Sequence, residues 1–324
     1  MLDSLGLVST QVGILFALMV VGFLCNRRKL LNAVAIKGIT ELLVLIVTPC
    51  VIVHSFTQQK FAVALLGDLG WALAASVFAH VVGAAIAFAC LRGRDKRDPP
   101  AGGGLERAGV LRFAVIFSNA GFMGIPLEYA LLGTDGVFFG AMYVVVFNLL
   151  CWSLGVAVMC RGMKNVGLRA LFVNAGTVGV ALGLPFFLFS LKLPEAVGRP
   201  VEMLADLNTP LAMIMVGWYL AEADFHPVLR CGAAYGVAVL RLVAVPLVVI
   251  AALAGVRACV PAFNPVMAVA ISTAAAAPVA ALTTVIAARY DKDVSTATGL
   301  VSGTTLLSIL TMPPIVGFAL WMFR

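Results

Sequence analysis

The most informative stretch of the chain is Ser118-Asn119-Ala120-Gly121-Phe122-Met123-Gly124-Ile125-Pro126-Leu127, which sets two glycines and a proline inside a long apolar run. Pro126 lacks a backbone donor and clashes with the preceding helical turn, and lipid offers no water to satisfy the freed carbonyls. Interrupted helices at membrane depth tend to line substrate or ion sites. For one such motif, a proline kink packed against neighbouring helices is the alternative interpretation. A second interruption, at Pro278, favours a site.

Composition places the chain in a membrane. Of its 324 residues, 62% are hydrophobic and 11% are charged, and the mean hydropathy is +1.07. A soluble domain carries about a quarter charged residues, so these values predict an all-α polytopic membrane protein with room for about ten transmembrane helices. The net charge of +7 does not indicate nucleic-acid binding, because Lys and Arg collect in short loops between apolar segments. The seven cysteines are scattered, and neither a disulfide nor a metal site is expected.

The apolar segments divide into ten predicted spans. They cover residues 6–25, 37–57, 68–91, 111–132, 136–160, 170–191, 200–221, 230–255, 265–288 and 295–322. With the N-terminus outside, sixteen of the 22 Lys and Arg residues fall on the inner side and five on the outer side, while Arg241 lies within a span. This asymmetry predicts that both termini lie outside. The first helix is expected to be retained, because Asp3 precedes it and Arg27-Arg28-Lys29 follows it.

The two halves of the chain carry traces of a duplication. The pattern Glu41-x-Leu43-x4-Thr48-Pro49 recurs 161 positions later as Glu202-x-Leu204-x4-Thr209-Pro210. Five spans in each half would start the second half on the opposite side of the membrane. We therefore predict a 5+5 inverted repeat, with residues 1–160 forming the first five-helix repeat and residues 161–324 the second.

The interrupted spans four and nine supply the candidate substrate-binding residues. Span nine contains Ala274-Ala275-Ala276-Ala277-Pro278-Val279-Ala280-Ala281, and small side chains allow another backbone to approach closely. Two interruptions in corresponding positions would cross near the midplane, where half-helix N-termini offer N–H donors to an anion. We therefore predict that Asn119, Gly121, Pro126 and Pro278 contribute to the site.

Charged side chains within the spans add further candidates. Burial of Arg241 costs several kcal/mol unless an anion or a water cavity compensates, so its partner is either a carboxylate substrate or an acid, Asp206 or Glu202. If Arg241 contacts the substrate, Arg241→Ala should abolish binding and leave the fold intact. His80 is a candidate proton carrier, with a hydrogen-bonded structural histidine as the alternative.

Polar side chains in the spans either line the site or bridge helices. Asn148 and Thr283 are predicted to bind substrate together with Asn119, which adjoins the interruption. Glu128 follows Pro126 closely and is expected to be exposed in an outer vestibule, with a gate role as the alternative.

The chain resembles the auxin efflux carrier family, in particular its bacterial members known as malonate or malate permeases. The resemblance rests on the blocks 119–127 and 209–217, on Ala277-Pro278 with residues 304–313, and on Arg241-Leu242 in span eight. It implies a ten-helix carrier in which broken helices four and nine cross, as in bile-acid-symporter and antiporter folds. Spans 1, 2, 6 and 7 would form a scaffold and spans 3–5 and 8–10 a transport domain.

The resemblance also implies that a small organic anion is moved by an elevator-like motion. It places the protein in a bacterial inner membrane, with the lipid bilayer around it and both termini in the periplasm, and it suggests a homodimer through the scaffold helices. Span nine lacks the asparagine beside proline that plant members have, so auxin itself is a poor substrate prediction.

These observations together predict a secondary transporter for a small carboxylate such as malonate or malate. No cofactor is expected, and coupling to protons or sodium stays open. The alternatives are a sodium-coupled bile-acid-type symporter and a transporter-like sensor that binds its ligand without moving it. An enzyme is not expected, because the sequence contains no H-E-x-x-H, no G-x-S-x-G and no paired membrane aspartates.

Overall fold

The computed structural model describes residues 2–91, 104–162, 175–223, 232–260 and 263–324. Over these ranges the chain is helical and contains no β-strand. Six helical stretches are long and apolar enough to cross a bilayer. They are Val8–Arg27, Ala33–Gln58, Val63–Cys90, Ala120–Cys160, Gly232–Cys259 and Val294–Met322. The predicted all-α polytopic membrane class is therefore confirmed. Several of the loop charges used to assign orientation, in 92–103 and 163–174, lie outside the described residues.

The described α-helices are numbered in chain order. They are α1 (Leu2–Arg27), α2 (Ala33–Leu42), α3 (Thr48–Gln58), α4 (Val63–Cys90), α5 (Gly104–Ile116), α6 (Ile125–Leu150), α7 (Val156–Cys160), α8 (Ala175–Leu188), α9 (Glu195–Asp206), α10 (Asn208–Glu222), α11 (Gly232–Val239), α12 (Val245–Cys259), α13 (Pro265–Ala276), α14 (Leu282–Arg289) and α15 (Val294–Met322). Short π-helical segments join some of them directly. These are Leu43–Val47, Ala120–Gly124, Cys151–Gly155 and Leu240–Ala244.

After three of these π-helical segments, the second residue of the next helix is a proline. The prolines are Pro49, Pro126 and Pro246. A proline ring clashes with the carbonyl four residues earlier, and a wider π-helical turn accommodates the ring without ending the helix. The prediction that the helix opens at Pro126 is therefore wrong. Pro126 is buried in α6, and the interruption lies earlier, at residues 117–119.

Helix α6 folds back on itself at Gly133. Gly133 has φ 65° and ψ −150°, a conformation that only glycine adopts readily. A Cβ added to Gly140 would collide with the Glu128 carboxylate, although twelve residues of straight helix would separate the two by about 18 Å. Residues 125–132 and 134–150 are thus the two limbs of a hairpin, which we call the α6 hairpin. Its tip coincides with the predicted boundary between spans four and five.

Glycines bring the helices of the first and later parts of the chain into backbone contact. Helix α1 packs against α10, where a Cβ on Gly22 would collide with the Ile214 carbonyl and a Cβ on Gly217 with the Met19 carbonyl. Helix α8 packs against α3, and a Cβ on Gly183 would lie 2.9 Å from the Phe56 Cβ. Missing side chains allow such close approach inside a membrane, where dispersion drives helix association.

Gly22→Ala is expected to lower the free energy of unfolding by about 1–3 kcal/mol, because the added methyl group pushes α1 away from α10. The matched control is Gly13→Ala on the same helix, where a Cβ meets nothing within 4 Å. That change should be neutral or stabilising by up to about 1 kcal/mol, because alanine favours a helix over glycine. Thermal unfolding in detergent measures both, and equal melting temperatures would contradict the close packing.

Candidate binding site at the helix crossover

Two non-helical segments meet inside the protein. Residues 117–119 follow α5, and residues 277–281 separate α13 from α14. They pair as a short antiparallel bridge in which the Asn119 N–H donates to the Pro278 carbonyl at 2.7 Å and the Ala280 N–H donates to the Phe117 carbonyl at 3.0 Å. The bridge satisfies backbone groups that lipid would leave unpaired. The two predicted interrupted segments therefore do face each other, and they bond to each other at the crossover.

Arg241 holds together the ends of the two helices that stop at the crossover. Its Nη1 donates to the carbonyls of Val115, at 3.1 Å, and Ile116, at 3.4 Å, and its Nη2 donates to the carbonyl of Ala275. These acceptors belong to the last turns of α5 and α13, where unpaired carbonyls concentrate partial negative charge. The Arg241 side chain is 0% exposed. A buried guanidinium thus compensates two helix C-termini at once.

Neither predicted partner of Arg241 occupies that position. Asp206 accepts a hydrogen bond from the Tyr129 hydroxyl at 3.5 Å, and Glu202 pairs with Arg199 at 2.8 Å. Backbone carbonyls take the place of an acidic side chain. Arg241 also does not border the cavity described next, so the geometry favours a structural role over contact with a ligand.

A cavity of about 320 Å³ lies beside the crossover. One wall comes from the π-helical segment Leu43–Val47, from Thr48 and from the start of α8, and the other from the crossover, the α6 hairpin and α14. The polar and aromatic side chains that define its character are Thr48, Ser118, Asn119, Asn148, Trp152 and Arg289. Gly121 also borders it, and a Cβ on Gly121 would meet nothing within 4 Å. The cavity therefore combines apolar walls with a few convergent polar groups, as small-molecule sites do.

Two side-chain carboxamides border this cavity, and they differ in whether they hydrogen-bond to the protein. The Asn119 side chain is 4% exposed, and within the described ranges it makes no hydrogen bond to the protein. The Asn148 Nδ2 donates to the Val144 carbonyl at 2.8 Å, which orients that amide. The Asn119 carboxamide is therefore available to form hydrogen bonds with a ligand.

Arg289 supplies the charge of the site, and sequence reasoning missed it. Its guanidinium lies over the Trp152 ring, 5.6 Å from the centroid, and it forms no ion pair within the part of the chain that the structure describes. Of the side chains that line the cavity there, it is the only charged one. The sequence counted Arg289 merely as an inner-face charge. Its position at the end of the short helix after the Pro278 interruption is the signal that could have identified it.

Other predicted site residues lie near the crossover but do not border the cavity. Pro278 belongs to the bridge, and Thr283 is fully buried, with a hydroxyl that has no hydrogen-bond partner among the described residues. His80 Nδ1 lies 2.8 Å from the Ser76 carbonyl, and its ring packs against Tyr143. The geometry around His80 thus fits the hydrogen-bonded alternative, and its proton-carrying role stays a prediction.

Beyond the crossover from this cavity, the described residues enclose much less space. A space of only about 10 Å³ lies between α3, the hairpin tip and the start of α10. Three hydrogen bonds join the α6 hairpin to α3 and to the end of α9 on this side, and we call them the tip contacts. They join Ser55 Oγ to the Thr134 carbonyl at 2.7 Å, Gln59 Nε2 to Asp135 Oδ1 at 2.6 Å, and Tyr129 Oη to Asp206 Oδ1 at 3.5 Å.

The fold and the site together define a class: a polytopic helical membrane protein with an internal cavity at a crossover of interrupted helices, which is the arrangement of membrane transporters. The family described as membrane transport protein matches residues 7–169 and 157–316, so the chain belongs to this family. The resemblance to auxin efflux carriers is confirmed at the level of the family. A search of curated proteins found no match.

Proposed function

We propose that the protein is a secondary transporter that carries a small organic anion by alternating access. The observation that supports this most directly is the charge of the cavity: two carboxamides and one guanidinium border it, and among its described lining residues there is no acid. Arginine binds carboxylates through short charge-assisted hydrogen bonds. The volume of about 320 Å³ suits a small mono- or dicarboxylate, such as malonate or malate, better than a bulky anion.

Ten crossings in a 5+5 inverted repeat belong to the same proposal. The stretch Ala120–Cys160 has 41 residues, about twice the length that one crossing needs, and it folds back at Gly133, so it supports two crossings. The positions matched between the two halves support the symmetry. Thr48 borders the large cavity, whereas Thr209 borders the small space beyond the crossover. Thr48 and Thr209 are matched positions of the two halves, and a two-fold axis in the membrane plane would place them on opposite sides.

The division into a scaffold and a transport domain accounts for where the cavity lies. The glycine contacts join α1 with α10 and α3 with α8, which are the proposed scaffold spans. The crossover packs with α4, α6 and α15, which belong to the proposed transport domain. The cavity and the tip contacts lie between these two groups, so an elevator motion of one against the other would open the tip contacts and close the cavity. A homodimer through the scaffold and periplasmic termini in a bacterial inner membrane complete the proposal.

Arg289→Gln tests the proposal directly. It is expected to raise the Kd for a bound carboxylate by about tenfold or more, because a hydrogen bond to a charged group contributes about 1.5–3 kcal/mol. The melting temperature without ligand should stay unchanged, since no ion pair within the described ranges depends on this guanidinium. Calorimetry and thermal shift with a panel of mono- and dicarboxylates, at several pH values and sodium concentrations, would measure both.

The control is Arg199→Gln, which removes an exposed arginine that does not border the cavity. Equal affinities of Arg289→Gln and wild type would remove Arg289 from the site. Uptake into proteoliposomes separates a transporter from a sensor, because a sensor would bind the same anion without accumulation. Uptake that requires sodium would favour the bile-acid-type symporter.

A further inference from the structure

Glu128 is a carboxylate sealed inside the protein. Its side chain is 0% exposed, and neither carboxylate oxygen has a hydrogen-bond partner in the described part of the chain. The expectation that Glu128 is exposed in an outer vestibule is therefore wrong. Ionisable side chains are rare inside membranes and almost always face a partner or a water-filled pathway, so a solitary buried carboxylate there points to a function.

Two glycines border the space that holds this carboxylate, one in the α6 hairpin and one in the π-helical segment before it. Gly140, on the opposite limb, lies so close to the Glu128 carboxyl group that any Cβ would collide with it. A Cβ on Gly124 would lie 3.4 Å from Glu128 Oε1 and 3.5 Å from the Ala274 Cα. Alanine at Gly140 would therefore displace the carboxyl group, whereas a Cβ on Gly124 would be in ordinary contact with it. The hairpin is therefore shaped to enclose a carboxyl group while giving it no donor.

Among the described residues, no cation pairs with the Glu128 carboxyl group. The segments that enclose the carboxyl group, α13 and the π-helical segment Ala120–Gly124, contain no ionisable residue. Tyr143, on the α6 hairpin itself, interacts with Glu128 electrostatically but does not donate to it. The Nη1 and Nη2 atoms of Arg241 donate to carbonyls of α5 and α13, and its Nε has no acceptor within the described ranges, so the guanidinium does not pair with Glu128.

Within the described ranges, the remaining helices that pack against the α6 hairpin also give Glu128 no counter-charge. Helix α8 contains no ionisable residue, Arg27 of α1 lies over the Phe23 ring, and Glu222 of α10 accepts a hydrogen bond from Asn26. On α4, Asp68 accepts a hydrogen bond from Asn264, and His80 is held by the Ser76 carbonyl. On α3, His54 and Cys50 form no hydrogen bond with Glu128. Within the described ranges there is also no group of three or more His, Cys, Asp or Glu residues that could hold a metal ion. An ionised carboxylate in such surroundings costs several kcal/mol, and a bound proton removes that cost.

We propose that Glu128 is the proton-binding site that couples anion transport to a proton gradient. The inference rests on the proposed transport function. The limb that carries Glu128 also carries Tyr129, whose hydroxyl forms one of the tip contacts. While these contacts are open, the Glu128 carboxylate takes up one proton from water on the tip side and becomes a carboxylic acid, which stays neutral when the contacts close. Release of this proton to water on the opposite side restores the carboxylate, so that one proton crosses the membrane with each anion.

The first test measures the proton itself and needs no substrate. Infrared spectra of the purified full-length protein in the tip-closed state should show, near neutral pH, the carbonyl stretch of a protonated carboxylic acid without hydrogen bonds. This band should disappear in Glu128→Gln and shift in Glu128→Asp. The control Glu41→Gln, which removes an exposed acid of α2 that takes no part in the tip contacts, should leave the band unchanged. A wild-type spectrum without the band would overturn the assignment, and Glu128→Asp keeps the test decisive if the glutamine variant does not fold.

The second test measures coupling in proteoliposomes, with labelled malonate as the probe. Glu128→Gln imitates the protonated form, so malonate exchange across the membrane should continue. Accumulation driven by a pH gradient, at most about tenfold per pH unit for one proton, should be lost. Gradient-driven accumulation that persists in Glu128→Gln, or that disappears in His80→Gln instead, would refute the proposal. If wild-type protein exchanges no carboxylate of the panel at all, the proposed function fails, whereas the infrared band still decides whether Glu128 binds a proton.

Discussion

Arg241→Ala is expected to prevent stable folding rather than to weaken ligand binding alone. The substitution leaves the carbonyls of Val115, Ile116 and Ala275 without the donors that the guanidinium supplies. Each buried acceptor left unpaired costs about 1–3 kcal/mol, and the lost side chain leaves a cavity besides. The total, on the order of 5 kcal/mol or more, is comparable with the whole stability of many proteins. The partial negative charges at the C-terminal ends of α5 and α13 would then repel each other, because no guanidinium would lie between them.

Arg257→Ala is the matched control for this prediction, because Arg257 lies on α12, close in sequence to Arg241, and also donates to helix-end carbonyls, those of Met322 and Arg324. Arg257 is partly exposed, so water can replace it and its loss should cost about 1 kcal/mol or less. Arg241→Lys should fall between the two, since one ammonium group cannot reproduce the fork of donors that reaches both helix ends. Size-exclusion profiles and melting curves in detergent measure all three. A normal melting curve for Arg241→Ala together with lost anion binding would restore the direct substrate contact predicted from the sequence.

The sequence predicted that two interrupted segments meet, but it located one of them incorrectly. Pro278 does lie in a break, among small residues that permit the close approach. Pro126 does not, because a π-helical turn absorbs its ring. Residues 117–119 contain neither proline nor glycine, and they leave the helix because their backbone pairs with residues 277–281. The motif 118–127 overlaps this break, but the position of the break ahead of Pro126 depends on a partner segment that is distant in the chain.

Sequence reasoning identified site residues that lie close to an interruption. It did not predict the surroundings of a residue whose neighbours in the structure are far from it in the sequence. Asn119, Gly121 and Asn148 do border the cavity. Arg241 was recognised as unusual, but sequence reasoning considered only side-chain acids and substrates as its partners, and backbone carbonyls at helix ends cannot be read from residue types. The burial of Glu128 depends on Gly140 in the opposite limb, so it follows from the fold of the hairpin rather than from the neighbours of Glu128 in sequence.

Gly121→Phe is expected to abolish anion binding and transport while the protein stays folded. Gly121 borders the cavity beside Asn119, and a side chain there meets no atom within 4 Å of its Cβ, so the ring would project into the space that the ligand needs. The backbone of Gly121 lies in a π-helical segment with no positive φ, and a side chain therefore adds no backbone strain. Phe122, Phe147 and Trp152 also line the cavity, so the added ring would lie in a cavity with apolar walls. The energetic effect on folding should be small, whereas the effect on function should be complete.

Gly70→Phe is the control for this prediction. It distinguishes blocking of the cavity from the general effect of a phenylalanine in a helix. Gly70 is an exposed glycine of α4 with open space around its Cβ, and it does not border the cavity. Melting temperatures of the two variants should agree to within a few degrees, while only Gly121→Phe loses carboxylate binding and uptake. Gly121→Ala should retain a reduced affinity, because a methyl group occupies only part of the space. If Gly121→Phe binds and transports like wild type, the cavity beside the crossover is not the path of the anion, and the charge of Arg289 serves another purpose.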